Sequence, residues 1–454
     1  MTTPFLERRQ ERIQRRLEEL RAWRNGREAV VNDWQFVGPD GVKRQLHLRD
    51  FWPVHDLPVK LTATAVIPRE WKGQPVELEL WLGGEALVKL STGLQAGLNP
   101  MHHSFPVVEK AKGGEAIEIE AEGVPKGMFG VNIPEPRIER AHLVVPHREV
   151  RAYERDLTML LDASAQLADH EVAPFLLDVG ERSLSELANG WESSTDVMVS
   201  RYVLGYENGL GTGQYAVPEY WRPQEPMSQE AIDAVNRARK VYQAGIKEVL
   251  KSYPPVGQLI LTGHAHIDLA WLWPVAETRR KIRRTFSTVL DLMERYPDFK
   301  FNQSSAQAYA WIEQDDPAVF ERVKKRVAEG RWDPVGGMWL ESDCNVTGGE
   351  AFVRQLFYGQ QYFFKTFGRR HQAAWLPDVF GFSGGVPQLL RGAGLTGFFT
   401  IKLNWNEENR FPYDLFEWEG IDGSRVNANL FLNPGEGYNG NIVPLDTLGT
   451  WREH

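Results

Sequence analysis

The chain has 454 residues, 42% hydrophobic and 25% charged, with a formal net charge of −9. That is length enough for about three domain-sized units with sizeable cores, and it leaves no case for global disorder. No apolar run reaches the ~20 residues that span a bilayer, the acidic balance argues against dependence on non-specific phosphate binding, and the single cysteine, Cys344, excludes an internal disulfide or a Cys-rich zinc module.

The N-terminus, Phe5-Leu6-Glu7-Arg8-Arg9, has no apolar core segment and carries interleaved glutamates, so no targeting peptide is expected and the cytoplasm is the default location. Ile13, Leu17 and Leu20 recur at helical spacing and predict an amphipathic helix over residues 5–24, its charges forming a solvated face. From about residue 30 to 150 the pattern turns to strands. Val59–Thr64, Val76–Leu80, Ala86–Leu90, Ala116–Glu120 and Ala141–Val145 alternate with period two, and Gly83-Gly84 between two of them predicts a hairpin. Short strands with Gly/Pro turns imply a β-sandwich. The adjacent His102 and His103 point to opposite faces of an extended chain and are not expected to share a metal. Residues 150–255 read as helical, interrupted by a Gly/Tyr/Pro-rich stretch at 204–226. Ser228 is the N-cap of a long helix to about Tyr253, and Pro254-Pro255 closes the region.

Beyond Pro255 strands and helices alternate. Leu259-Ile260-Leu261 reads as a buried strand, followed by a helix from Glu277 to Arg295 and a strand begun by Phe299-Lys300-Phe301. Asp316 as N-cap, Pro317 at the first helical position and Gly330 past the end punctuate the next helix. A strand near Trp332–Val335, a helix over Glu350–Phe367, a strand over Ala373–Leu376, a short helix at Val386–Arg391 and a strand at Phe398–Ile401 complete the series. Repeated βα units require a parallel sheet, open or closed, with the chemistry at the carboxyl ends of the strands.

Those ends carry the informative residues. In Gly263-His264-Ala265-His266-Ile267-Asp268, a strand that stayed extended would send His264, His266 and Asp268 to one side, a donor set suited to zinc or a similar ion. For an isolated histidine a hydrogen-bonded core role is the commoner case; the second imidazole and the aspartate favour a metal here. Trp375-Leu376-Pro377-Asp378 places a carboxylate directly after a strand, where it could face a cleft or cap the next helix. Ile401-Lys402-Leu403-Asn404-Trp405-Asn406 brings a cation, an indole and amides, and Gly336–Asn345 is again acidic and aromatic. Metal, carboxylates and tryptophans at one rim suggest a polyol ligand, most simply a sugar.

The runs His264–Trp271 and Trp375–Gly381 resemble glycoside hydrolase family 38, the class II α-mannosidases, supported by Gly348-Gly349-Glu350 and Phe416–Gly423; the segments ahead resemble its cytosolic and bacterial branch. The resemblance implies a zinc-dependent retaining exo-α-mannosidase acting on mannose-containing oligosaccharides. It makes His266, Asp268 and Asp378 metal ligands, Asp378 also the nucleophile, and Trp271, Lys402, Trp405, Asn406 and Tyr438 substrate-site residues. Cobalt fits the same ligands as zinc. The expected architecture is α/β: an N-terminal helix (1–28), a β-sandwich (29–150), a helical linking region (151–255) and a partly parallel, barrel-like βα-repeat domain (256–454). Retention needs a second carboxyl group; Glu341, Asp343 and Asp414 do not match the family position. That acid and a fourth ligand are expected past His454, in a C-terminal remainder. No nucleic-acid or membrane partner is expected, and a homo-oligomer is compatible with the sequence. The alternatives are a glycan-binding half without turnover and a metal-dependent deacetylase or amidohydrolase, which would need later histidines where only His371 and His454 follow. Nucleic-acid binding through Arg279-Arg280-Lys281-Ile282-Arg283-Arg284 is weaker, since a solvated helix face explains that run.

Overall fold

The computed structural model describes residues 4–21, 23–127, 129–188, 190–191, 227–409, 411–431 and 442–453; the 204–226 stretch, Tyr438 and His454 lie outside them. Two compact units part between Gln258 and Leu259, the first comprising Met1–Gln258 with Val443–Leu445 and the second Leu259–Ile442 with Asp446–His454.

In the first unit, helix α1 (Pro4–Arg21) precedes strands β1 (Asn25–Val30), β2 (Trp34–Val37), β3 (Lys43–Leu46), β4 (Val59–Val66) and β5 (Val76–Trp81). Strands β6 (Glu85–Leu90), β7 (Gln95–Leu98), β8 (Ser104–Val108), β9 (Ala116–Val124) and β10 (Arg140–Pro146) follow. They form two antiparallel sheets, β1-β10-β5-β8 and β3-β2-β4-β9-β6-β7. Period-two alternation sets the register: Val59, Leu61, Ala63 and Ala65 turn inward while Lys60 and Thr64 stay outside. One core containing Trp34, Phe36, Leu61, Leu78, Val88, Phe105, Ile119 and Leu143 lies between the sheets, each large apolar side chain contributing about 1.5–3 kcal/mol on full burial.

The expected hairpin is not formed. β5 pairs with β10 and β8, whereas β6 pairs with β7 and β9 in the other sheet. Leu78 and Val88 meet the same core from opposite sides, so Gly83-Gly84 carries the chain across the sandwich. The glycines are there for close approach: a Cβ on Gly83 (φ +86°) would stand 2.3 Å from the Arg137 nitrogen, and one on Gly84 2.0 Å from the Val124 oxygen.

Helices α2 (Arg148–Gln166), α3 (Ala173–Ser185) and α4 (Gln229–Ser252) share a second core with α1, through Ile13, Leu17, Leu20, Leu157, Leu177 and Val235. Ser228 Oγ accepts the Ala231 N–H at 3.1 Å, the expected cap of α4. The charges of α1 are not all solvated: buried Arg9 pairs with Asp178 and Glu181, and buried Glu19 accepts from the Trp191 indole at 2.8 Å. Among the described residues, no helix is long and apolar enough to cross a membrane.

The second unit opens on β11 (Gly263–His264), followed by α5 (Val275–Arg295), β12 (Phe301–Gln303), α6 (Ala306–Asp315), α7 (Pro317–Ala328) and β13 (Trp332–Pro334). Then come α8 (Gly349–Phe367), β14 (Ala373–Trp375), α9 (Val386–Gly392), β15 (Gly397–Thr400), β16 (Leu415–Glu419) and β17 (Arg425–Leu430); of α10 (Pro444–Glu453), the residues from Asp446 on belong to this unit. Strands β11-β12-β13 are parallel throughout; in β14-β15-β17-β16 only β16 runs antiparallel. Asp316 caps α7 through the Val319 N–H at 3.3 Å, as its sequence predicts. The buried strand expected at Leu259–Leu261 is corrected: Ile260 is 92% exposed and the ladder starts only at Gly263, because β11 is a sheet edge with its partner strand on one side alone. The basic run on α5 is also corrected, from a solvated face to a paired one: Arg279 pairs with Asp315, Arg280 and the buried Arg284 with Glu277, and Arg283 with Asp316, while Lys281 lies over the Trp273 ring.

Two predictions follow from this packing. A Cβ on Gly359 of α8 would fall 2.3–2.5 Å from the backbone of Gly337, Met338 and Trp339, so Gly359→Ala is expected to cost about 1–3 kcal/mol, read as a lower urea midpoint. His371, edge-on to Phe363 at 4.5 Å, is pushed down to about 4 by burial and then by Arg369. The unfolded ring takes its proton near the ordinary histidine value of about 6.5, so stability falls as pH drops from there towards 4. His371→Met should remove on the order of 2 kcal/mol of that fall by pH 5, measured by paired urea titrations at pH 7.5 and 5.

Candidate metal and sugar site

The ladder ends at His264, and the chain then leaves the sheet as a loop to Pro274, so the extended geometry that would align three side chains does not persist. His264 turns back into the structure: Nδ1 donates to Asn302 Oδ1 at 2.6 Å and Nε2 accepts from the Trp375 indole at 3.2 Å. Burial pushes this ring down to about 4; with both nitrogens engaged it links β11, β12 and β14, and among the described residues it does not belong to the group of potential ligands that converges.

His266 and Asp268 meet Asp378, which follows β14. His266 Nε2 lies 3.3 Å from Asp268 Oδ1 and 3.6 Å from Asp378 Oδ2, and all three side chains are partly buried. Among the described residues they are the group of potential ligands that converges. Tetrahedral donors around a cation with bonds of about 2.0–2.2 Å stand roughly 3.3–3.6 Å apart; the two separations from His266 match that spacing, and the three ligand atoms all lie within 4.8 Å of one another. Burial lowers the His266 pKa, but the hydrogen bonds to Asp268 and Glu341 outweigh it and lift the ring to about 10. An anionic donor set of this kind attracts a cation, by proton or by metal.

Asp378 does not cap a helix, since α9 starts beyond Gly385. Its N–H donates to Glu341 Oε1 at 2.8 Å, and its Oδ1 is 2.6 Å from Lys402 Nζ. Lys402 begins a 3-10 turn, Lys402–Trp405, and its buried ammonium lies 3.9 Å from the Phe380 ring centroid and 3.8 Å from that of Trp405. Trp271, 59% exposed, Phe380 and Trp405 present aromatic surface to solvent on these loops. Asn406 Oδ1 is used locally, accepting the N–H groups of Glu408 and Asn409.

The residue that sequence reasoning missed is Glu341, weighed there only as a substitute acid. It faces His266 and Asp378 together, and its one sequence signal is its position in the acidic, aromatic run after β13. Asp343 is a turn-former whose carboxyl is held below the usual range by the Val346 and Asn345 N–H groups. Buried Cys344 is pushed up to about 12 by loss of solvent and supplies no thiolate. His371 lies outside the cluster, against the needs of a many-histidine deacetylase centre.

The fold and site define a βα-repeat domain with three side chains that could hold a cation and exposed aromatic residues on the neighbouring loops. Residues 257–454 match the glycosyl hydrolases family 38 N-terminal domain. Alpha-mannosidase G of Dictyostelium discoideum is 32% identical over 394 residues, covering 83% of this chain and 32% of its own length. Alpha-mannosidase 2C1 of Homo sapiens is 33% identical over 386 residues, 82% of this chain and 33% of its own. An alpha-mannosidase of Saccharomyces cerevisiae is 33% identical over 339 residues, 72% and 28% respectively. Over residues 257–454 the chain is thus similar to the N-terminal domain of that family, and it spans about a third of the length of these relatives.

The geometry separates the two histidines experimentally. His266→Ala should weaken zinc binding by at least about 100-fold, whereas His264→Gln should stay within about threefold, measured by competition with a chelating dye.

Proposed function

We propose that this chain is the metal- and nucleophile-bearing part of a zinc-dependent retaining exo-α-mannosidase that removes terminal mannosyl residues from glycans. The observation that carries the reading is the convergence of His266, Asp268 and Asp378 within the family-matched segment. These residues would hold the ion, which when bound supplies a Lewis-acid grip on vicinal sugar hydroxyls. The protein's own contribution centres on Asp378. Its carboxylate attacks the anomeric carbon, forming a C–O bond to the enzyme as the glycosidic C–O bond breaks; water then releases mannose with net retention. Lys402, buried between two rings, pairs with Asp378 Oδ1 and restrains the swing of its carboxylate.

Trp271 and Trp405 offer faces for a pyranose ring, and Asn406 and Tyr438 complete the sugar contacts in this reading. The leaving oxygen needs a proton from a second carboxyl group about 5–5.5 Å from the nucleophile. We assign that group, with a further metal donor, to a C-terminal remainder, in keeping with relatives of which this chain covers 32% and 33%. The side-chain link from His264 to Trp375 supports treating the two sheets as arcs of one barrel-like layer. An unpaired Cys344 accords with a cytoplasmic location. The alternative, a glycan-binding half without turnover, draws on the same fraction of length.

The test is hydrolysis of an aryl α-mannoside with zinc present. In a chain extended by its C-terminal remainder, Asp378→Asn should lower kcat by about 10³-fold or more, and Lys402→Gln by roughly 10²–10³-fold with little change in KM. The 454-residue chain alone should bind zinc without turnover; turnover that survives Asp378→Asn would overturn the assignment.

A further inference from the structure

Glu341 touches both ends of the cluster without belonging to it. Oε1 accepts the Asp378 N–H at 2.8 Å, and Oε2 lies 3.3 Å from His266 Nδ1. Both facing groups are donors whenever His266 offers its Nε2 lone pair to a cation, because the neutral ring must then carry its proton on Nδ1. A carboxylate accepts at both oxygens. An amide would turn its NH₂ against one of these donors, so glutamine cannot satisfy both.

The backbone holding Glu341 is itself pinned. Trp339 N–H donates to Gln355 O at 2.8 Å, Leu340 N–H donates to Gln355 Oε1 at 3.1 Å, and Gly359 admits the loop against α8. Glu341 is thus a fixed bracket, shielded from solvent on a rigid support, with one arm on a ring nitrogen and the other on the main chain of the nucleophile.

We propose that Glu341 is the positioning residue of this site: it locks His266 in the Nδ1–H form and sets Asp378 through its backbone, so that Nε2 and Oδ2 face one ion. The proposal rests on the reading of His266, Asp268 and Asp378 as a cation site. Glu341 acts through its neighbours, the His266 ring and the Asp378 main chain.

Zinc alone is the probe, titrated into the 454-residue chain and its Glu341→Gln variant against a chelating dye. The variant should bind about 10–100-fold more weakly, while the metal-free unfolding midpoint stays close to that of the parent. Equal zinc affinity overturns the proposal; so does a lowered midpoint with unchanged affinity in the folded fraction, which would mark a role in folding only. The second measurement is the imidazole proton spectrum of the ¹⁵N-labelled chain. The His266 Nδ1–H should exchange slowly in the parent and quickly in Glu341→Gln, with and without zinc. If the parent takes up no zinc, the cation-site reading fails separately, and the proton exchange still decides: equal exchange in both chains overturns the bracket.

Discussion

Everything in the site turns on how one carboxylate is held. Asp378 is held through its main-chain N–H by Glu341, at Oδ1 by Lys402 and alongside His266 at Oδ2. Each restraint has a different physical character: a charge-assisted hydrogen bond, a desolvated ion pair, and contact with a ring that shares the same anionic pocket. A group restrained this way loses little further freedom on meeting a reaction partner, which is where enclosed sites gain most over water. The restraints arrive from loops after β11, β13 and β15, and parallel strands are what bring such loops to one end of a sheet.

Much of this was legible in the sequence because local physics decided it. Alternation located strands such as β4, and Ser228 and Asp316 marked helix starts that the backbone indeed uses. The failures occurred where local pattern was the same for two outcomes. Alternation flanking Gly83-Gly84 suits a hairpin or a crossing between sheets, and only the core between β5 and β6 distinguishes them. An apolar triplet such as Leu259-Ile260-Leu261 reads as buried whether or not anything covers it. Helix α6, with Ala306, Ala308, Tyr309, Ala310 and Ile312 buried, escaped notice because small residues leave no clear stripe.

The site followed the same division. Asp378 and the pair His266 and Asp268 stood out through their motifs, whereas Glu341 and the enclosure of Lys402 arise from meetings between segments tens of residues apart. The arginines of α5 show the converse error. Charge runs look solvated on paper, yet here acidic residues of α5 itself, the end of α6 and the cap of α7 neutralise them. Sequence proximity exaggerates exposure when the compensating charge sits elsewhere in the chain.

The commitment of both His264 nitrogens to Asn302 and Trp375 reaches into metal choice. With that imidazole spent, the cluster offers one nitrogen and two oxygens, and the deeply protonated Cys344 adds no sulfur. Such a set ranks first-row ions by the general affinity order, in which copper outcompetes zinc, cobalt and manganese. These three side chains therefore carry little discrimination of their own. Which ion they would hold in the proposed site depends on supply and on whatever further donor would complete the shell.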